Sequence, residues 1–220
     1  MPDFLFSGEA IEWVPEFKYL GLTLTNTLSY AKHISNITLN ISKITGTLVG
    51  VRDFLPIQVL LRLYHALALP YLNNHLVIWG SAPNCHLVRL NSRINNMLRM
   101  ILGVQWLDGV PLLGTREMYR RLKLLRLNSL YKYNLFKFMR QLLVGRFPEL
   151  YDLLLRPYHC THNYRTRGGM FRHPDLTSEI ERRFLPHQMI LLYENLPPPL
   201  LDNTIPSAFR KYKELLLEEQ

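Results

Sequence analysis

The residue types able to coordinate a metal gather in one stretch, residues 157–174, where His159, Cys160, His162 and His173 stand close together. All four are zinc-compatible, but they lack the paired spacing of a zinc module. No metal site is assigned to them, and structural or nucleic-acid contacts are the use expected. The six aspartates are scattered, with no two adjacent or one apart, and Glu218 and Glu219 lie at the very end. Paired carboxylates for metal-ion catalysis would have to be assembled from distant positions. No glycine-rich phosphate loop, nucleophile elbow or helical zinc-binding His pair occurs. No catalytic residue is assigned.

Cations are the other chemical resource. The formal net charge is +9, and residues 89–146 hold twelve Arg and Lys against only Asp108 and Glu117. Such a basic middle suits a phosphate-rich partner, with a plain solvated face as the alternative. The candidate contacts are Arg116, Arg120, Arg121, Lys123, Lys132, Lys137 and Arg140, interleaved with aromatics in "MYRRLKLLRLNSLYKYNLFKFMR". Single-strand binders use this interleaving, although at helical spacing Tyr131, Phe136 and Phe138 read as core. A second candidate is "HNYRTRGG" at residues 162–169. There Tyr164 either stacks on a base or anchors a loop, and Arg165 and Arg167 alternate in the extended segment after it.

These side chains need elements to hold them. Residues 4–6 and 11–14 flank "SGEA", the pattern of a hairpin, and "EFKYLGLTLTN" reads as a strand, a glycine and a second stretch of strand. From Ser29, a reasonable N-cap, the period changes: Ile34, Ile37, Ile41, Ile44 and Leu48 make a helical stripe. A second helix is expected from Pro56 to a break at Pro70, and a third over residues 85–102 stopped by Gly103. "VQWLDGVPLLG" reads as a loop, followed by a helix capped by Thr115. A long helix follows with Tyr131, Leu135, Phe138 and Leu142 aligned, Lys132, Lys137 and Arg140 on its other faces, and Gly145 at its end. Helices over 178–194 and near the C-terminus close the chain. The expected fold is mainly α: a small N-terminal β element (residues 1–28), a helical region (29–145) and a C-terminal helix-and-loop region (146–220).

With 48% apolar and 20% charged residues over 220 positions, the composition is that of a folded globular chain. Cys85 and Cys160 make no disulfide framework, and neither a signal peptide nor a run of ~20 apolar residues is evident. An intracellular setting, nucleus or cytoplasm, is expected.

The order of the motifs resembles the C-terminal part of a non-LTR (LINE-type) retrotransposon reverse transcriptase. The motifs are "EFKYLGLTLTNTLSYAKHI", the isoleucine-striped helix, "LYHALALPYLNNHLVIWG", "LNSRINNMLRMILG" and "HNYRTRG". The resemblance covers residues 4–170 clearly and the rest faintly. It departs from the family at Asn74-His75, ahead of Trp79-Gly80, where Tyr-Cys or Tyr-Gly is frequent. It implies that Phe17, Tyr19, Leu20 and Gly21 form the primer grip at the base of the palm, and that the helices after Ser29 are the thumb and beyond. It also implies an RNA/DNA template–primer duplex as partner, together with the palm and fingers of the parent polymerase. The palm's metal-binding aspartates lie upstream in that family, so Mg2+ is expected only with the palm and the chain alone is not expected to polymerise. The expectation is therefore a piece of an RNA-directed DNA polymerase that positions template and primer. A free-standing basic nucleic-acid-binding module and an inert truncated product are the alternatives.

Overall fold

The computed structural model describes residues 5–6, 9–10, 13–107, 110–155, 171, 178, 183–197, 200 and 205–219. The chain is mainly helical and begins with two small antiparallel hairpins. In the first, β1 (Leu5–Phe6) pairs with β2 (Glu9–Ala10). The return strand thus lies closer to the turn than the 11–14 stretch expected from the sequence, and Trp13 and Val14 are exposed and outside any strand. In the second, β3 (Glu16–Tyr19) pairs with β4 (Leu22–Thr25), closing on Leu20 at φ 47° and Gly21 at φ 89°. Two consecutive positive φ values match the right-handed twist of a two-residue hairpin.

Helix α1 (Ala31–Val51) buries Ile34, Ile37, Ile41 and Leu48, as its spacing predicts, with Ile44 half-buried. Its serines and threonines return hydroxyl hydrogens to carbonyls four residues back: Thr38 to Ile34 (2.7 Å), Ser42 to Thr38 (2.9 Å) and Thr45 to Ile41 (2.7 Å). Those bonds occupy side chains that otherwise compete for the backbone. Ser29 is not the cap. Tyr30, left-handed at φ 55°, holds that position because its carbonyl accepts the first helical bond, from Ile34 N–H at 2.9 Å.

Helix α2 (Ile57–Leu63) runs into a π turn (Tyr64–Ala68) and then α3 (Leu69–Asn73). The expected break at Pro70 is taken up one turn earlier. Leu69 N–H reaches back five residues to Tyr64 O, so Pro70 enters a first helical turn, where its missing N–H costs nothing. After α4 (Leu76–Trp79) comes α5 (Asn84–Ile101), which packs along α1 and is stopped at Gly103 (φ 63°). The stretch read as a loop contains a third hairpin, β5 (Trp106–Leu107) with β6 (Val110–Pro111). Helix α6 (Thr115–Leu122) is capped by Gly114, whose carbonyl accepts Met118 N–H at 3.0 Å; Thr115 Oγ1 instead accepts a bond from Arg99 at 2.8 Å.

Helix α7 (Leu127–Leu143) is the hub of the second half, touching α3, α4, α8 (Pro148–Leu154), the helix Leu185–Glu194 and the last described helix, Ile205–Glu218. Because neighbours cover more than one side, Phe136 and Met139 are fully buried while Phe138 is only half-buried. Arg140, expected on an outer face, is buried for the same reason. The Leu185–Glu194 helix starts at Pro186's turn and not at Ser178, which is a bend. Gly80 ends α4 against α7 with no room for a side chain: a Cβ there would sit 2.9 Å from Tyr131 Cγ and 2.5 Å from Leu76 O. The buried side chains form one continuous cluster from Leu22 to Leu216.

Candidate nucleic-acid interface

The β3–β4 hairpin presents the residues read as a primer grip. Phe17 and Tyr19 share one face of β3 and are each 58% exposed, and Leu20 at the turn is 73% exposed. Leu22 and Thr23 on β4 are buried and dock against α1. The hairpin thus has an anchored strand and an open strand.

Its anchor is a cluster of polar and aromatic contacts. Thr23 N–H donates to His33 Nδ1 at 3.3 Å, which fixes the imidazole proton on Nε2. The His33 ring meets Trp79 edge-on at 5.9 Å, and Trp79 Nε1–H donates to Asn74 O at 2.7 Å. Gly21 comes down on the Asn74 amide, where an added Cβ would lie 3.1 Å from Nδ2. Next to Asn74, His75 adopts φ 53° to start α4. Burial, aided by His75, lowers the His33 pKa from 6.5 to about 4. "YLGLT", "KHI" and "NNHLVIWG", far apart in sequence, therefore meet at one junction beneath the turn.

The basic residues divide into two sets. Arg116, Arg120, Arg121 and Lys123 are exposed on and just after α6, and Lys132 is exposed on α7. Glu117 partly neutralises this face, 3.7 Å from Arg120 and 3.0 Å from Arg121. Pairs as exposed as these contribute little to stability. Other cations hold the fold. Arg99 bonds Thr115, the Arg126 guanidinium lies 5.7 Å over the Tyr119 ring, and the Tyr119 hydroxyl donates to Asn95 Oδ1 at 2.9 Å. These contacts tie α5, α6 and the start of α7 together. The buried Arg140 presents no such face to solvent.

A groove of about 270 Å³ opens where the α6–α7 turn, α7 and the last described helix converge. Lys123 and Lys137 line it, and so does Lys213, which sequence reasoning missed. Its only sequence signal is the alternation in "RKYKE", which says nothing about proximity to Lys137. Tyr164, Arg165 and Arg167, and the His159, Cys160, His162 and His173 cluster, lie outside the described residues. Among the described residues no group of three or more His, Cys, Asp or Glu could hold a metal ion. No described helix is long and apolar enough to cross a membrane.

The comparisons with known proteins follow the motifs. Over 132 residues the chain is 27% identical to the RNA-directed DNA polymerase from mobile element jockey of Drosophila melanogaster, covering 58% of this chain and 14% of that protein. The jockey polymerase of Drosophila funebris is 27% identical over 108 residues, 48% of this chain and 12% of the relative. A probable RNA-directed DNA polymerase from transposon X-element of Drosophila melanogaster is 29% identical over 92 residues, 40% and 10% of the two chains. The matches thus span about one seventh or less of these relatives' lengths. No family model matches the chain. No solved structure matches it significantly. The sequence is similar to a region of LINE-type reverse transcriptases.

Proposed function

We propose that this chain serves as the primer-grip and thumb part of a retrotransposon RNA-directed DNA polymerase. In this reading Phe17, Tyr19, Leu20 and Gly21 steady the primer end. The exposed cations of α6, with Lys132, hold template–primer phosphates. Phosphoryl transfer, with its Mg2+, belongs to carboxylates elsewhere in such a polymerase. The observation that carries the reading is the hairpin: its aromatic strand stands open to solvent while its other strand is held through Thr23 by His33, which packs on Trp79, and Gly21 lies close over Asn74. A hairpin anchored through one strand and carrying exposed rings on the other suits a device that must place a strand end closely. The polymerase names of the relatives support it.

The test is the salt dependence of binding to a labelled RNA/DNA duplex, read by fluorescence anisotropy. Each phosphate neutralised on a duplex adds about 0.9 to the slope of log K against log salt. Several contacts predict a slope steeper than about −3 for the wild type, flattened by at least about one in an Arg116→Gln, Arg120→Gln, Arg121→Gln variant. An unchanged slope and affinity would make α6 a solvated face only.

A further inference from the structure

We propose that the groove between the α6–α7 turn, α7 and the last described helix is a subsite for one nucleotide of a single-stranded segment. The phosphate is held by Lys123, Lys137 and Lys213, and the base by Tyr133, Asn73 and Asn134. This inference rests on the nucleic-acid reading above and gives that partner a second, distinct contact.

Charge is the first argument. Three lysines from three elements line this one groove, and no carboxylate is among its lining residues. Among the described residues none of the three is ion-paired, whereas Arg120 and Arg121 share Glu117. Three unneutralised cations around a concavity set up a field that attracts an anion. Lys123 also stands at φ 51°, in the left-handed position after a helix that glycine usually takes. Lys123 N–H bonds Arg120 O at 3.2 Å and the next N–H bonds Tyr119 O at 3.1 Å, which fixes the turn that carries the lysine.

Size and shape choose the ligand. At about 270 Å³ the groove falls just below the ~300–1,000 Å³ of sites for drug-sized molecules, so it admits a single nucleotide unit and not a duplex. Its lining supplies what a base requires. The half-buried Tyr133 ring has the Lys137 ammonium 5.3 Å from its centre, a contact readily exchanged for a phosphate. Asn134 Nδ2 donates both its hydrogens, to Asn73 Oδ1 at 3.0 Å and to Leu130 O at 2.9 Å. That leaves Asn134 Oδ1 as an acceptor and Asn73 Nδ2 as a donor in one amide pair, the complement of a base edge. Aromatic stacking beside lysines is the means by which single strands are held with little sequence preference.

The experiment compares binding of a labelled ten-nucleotide single-stranded RNA and of an RNA/DNA duplex to the 220-residue chain and to its Lys137→Gln, Lys213→Gln variant. Single-strand affinity is expected to fall roughly tenfold while duplex affinity stays within about twofold. Lys213→Gln alone, at an exposed position, is expected to give part of the same loss with an unchanged thermal melt. Equal losses for both ligands, or no loss for either, would overturn the subsite. So would a wild type that binds duplex but not single strand, and that outcome would leave the duplex reading standing. A wild type that binds neither ligand would overturn both.

Discussion

Strand β3 and helix α7 carry similar aromatic and basic residues, yet the fold treats them in opposite ways. All four residues of β3 are exposed, Phe17 and Tyr19 included. Helix α7 buries Leu127, Tyr131, Leu135, Phe136, Met139 and Leu142, with helices from both earlier and later in the chain laid against it. Phe136 alone packs on Phe209 at 5.9 Å and Tyr212 at 4.5 Å. The difference separates residues that build the core from residues left open to solvent. A ring enclosed on every side adds burial energy to folding, and a ring left in water does not.

The largest expected effect falls on the α7 side. Phe136→Ala should destabilise the chain by about 3–5 kcal/mol in a urea melt, through lost burial and the cavity left behind. A loss below about 1 kcal/mol would mean that the later helices do not close over α7. Next comes Gly80→Ala, where the new methyl meets the Tyr131 ring. The expected cost is about 1–3 kcal/mol, and only partial recovery is expected in a Gly80→Ala, Tyr131→Leu double variant, since the clash with Leu76 O remains when the ring is removed.

The junction beneath the hairpin is expected to respond to pH. His33 titrates near 4 in the folded chain against 6.5 when free, so the unfolded state binds the proton more readily between those values. Its contribution is therefore expected to be complete above pH 6.5 and to be lost as pH falls toward 4. In His33→Asn an amide oxygen can still accept Thr23 N–H but cannot titrate. Urea melts from pH 7 to 4 should then show a shallower decline for the variant; parallel curves would put the imidazole in water. The smallest effect belongs to β3 itself: Phe17→Ala and Tyr19→Ala should each change stability by no more than about 0.5 kcal/mol. A cost approaching that of Phe136→Ala would erase the contrast and make the hairpin part of the core.

Local patterns were legible because they depend on neighbours a few residues away. The isoleucine stripe of α1, the helix stops at Gly103 and Gly145 and the strand–turn–strand around Leu20 and Gly21 all follow from periodicity or from the φ that a turn requires. Caps were less legible. Ser29 and Thr115 are good capping types, yet Tyr30 and Gly114 hold those positions, because the carbonyl taking the first helical bond is chosen by how the chain enters the helix. The β5–β6 hairpin escaped notice because two-residue strands carry almost no alternation.

By itself the sequence determined the helical class, the strand–turn–strand around Leu20 and Gly21 and the excess of cations, since composition and spacing are properties of the chain. Only the tertiary structure decided which cations face solvent: Arg140 is buried, Arg99 and Arg126 tie helices together, and Lys123, Lys137 and Lys213 share a groove. It also brought His33, Asn74 and Trp79 under one hairpin turn. The physical reason is the same throughout. Helical period fixes which residues share a face, but whether that face meets water, a ring or another lysine depends on segments tens of residues away.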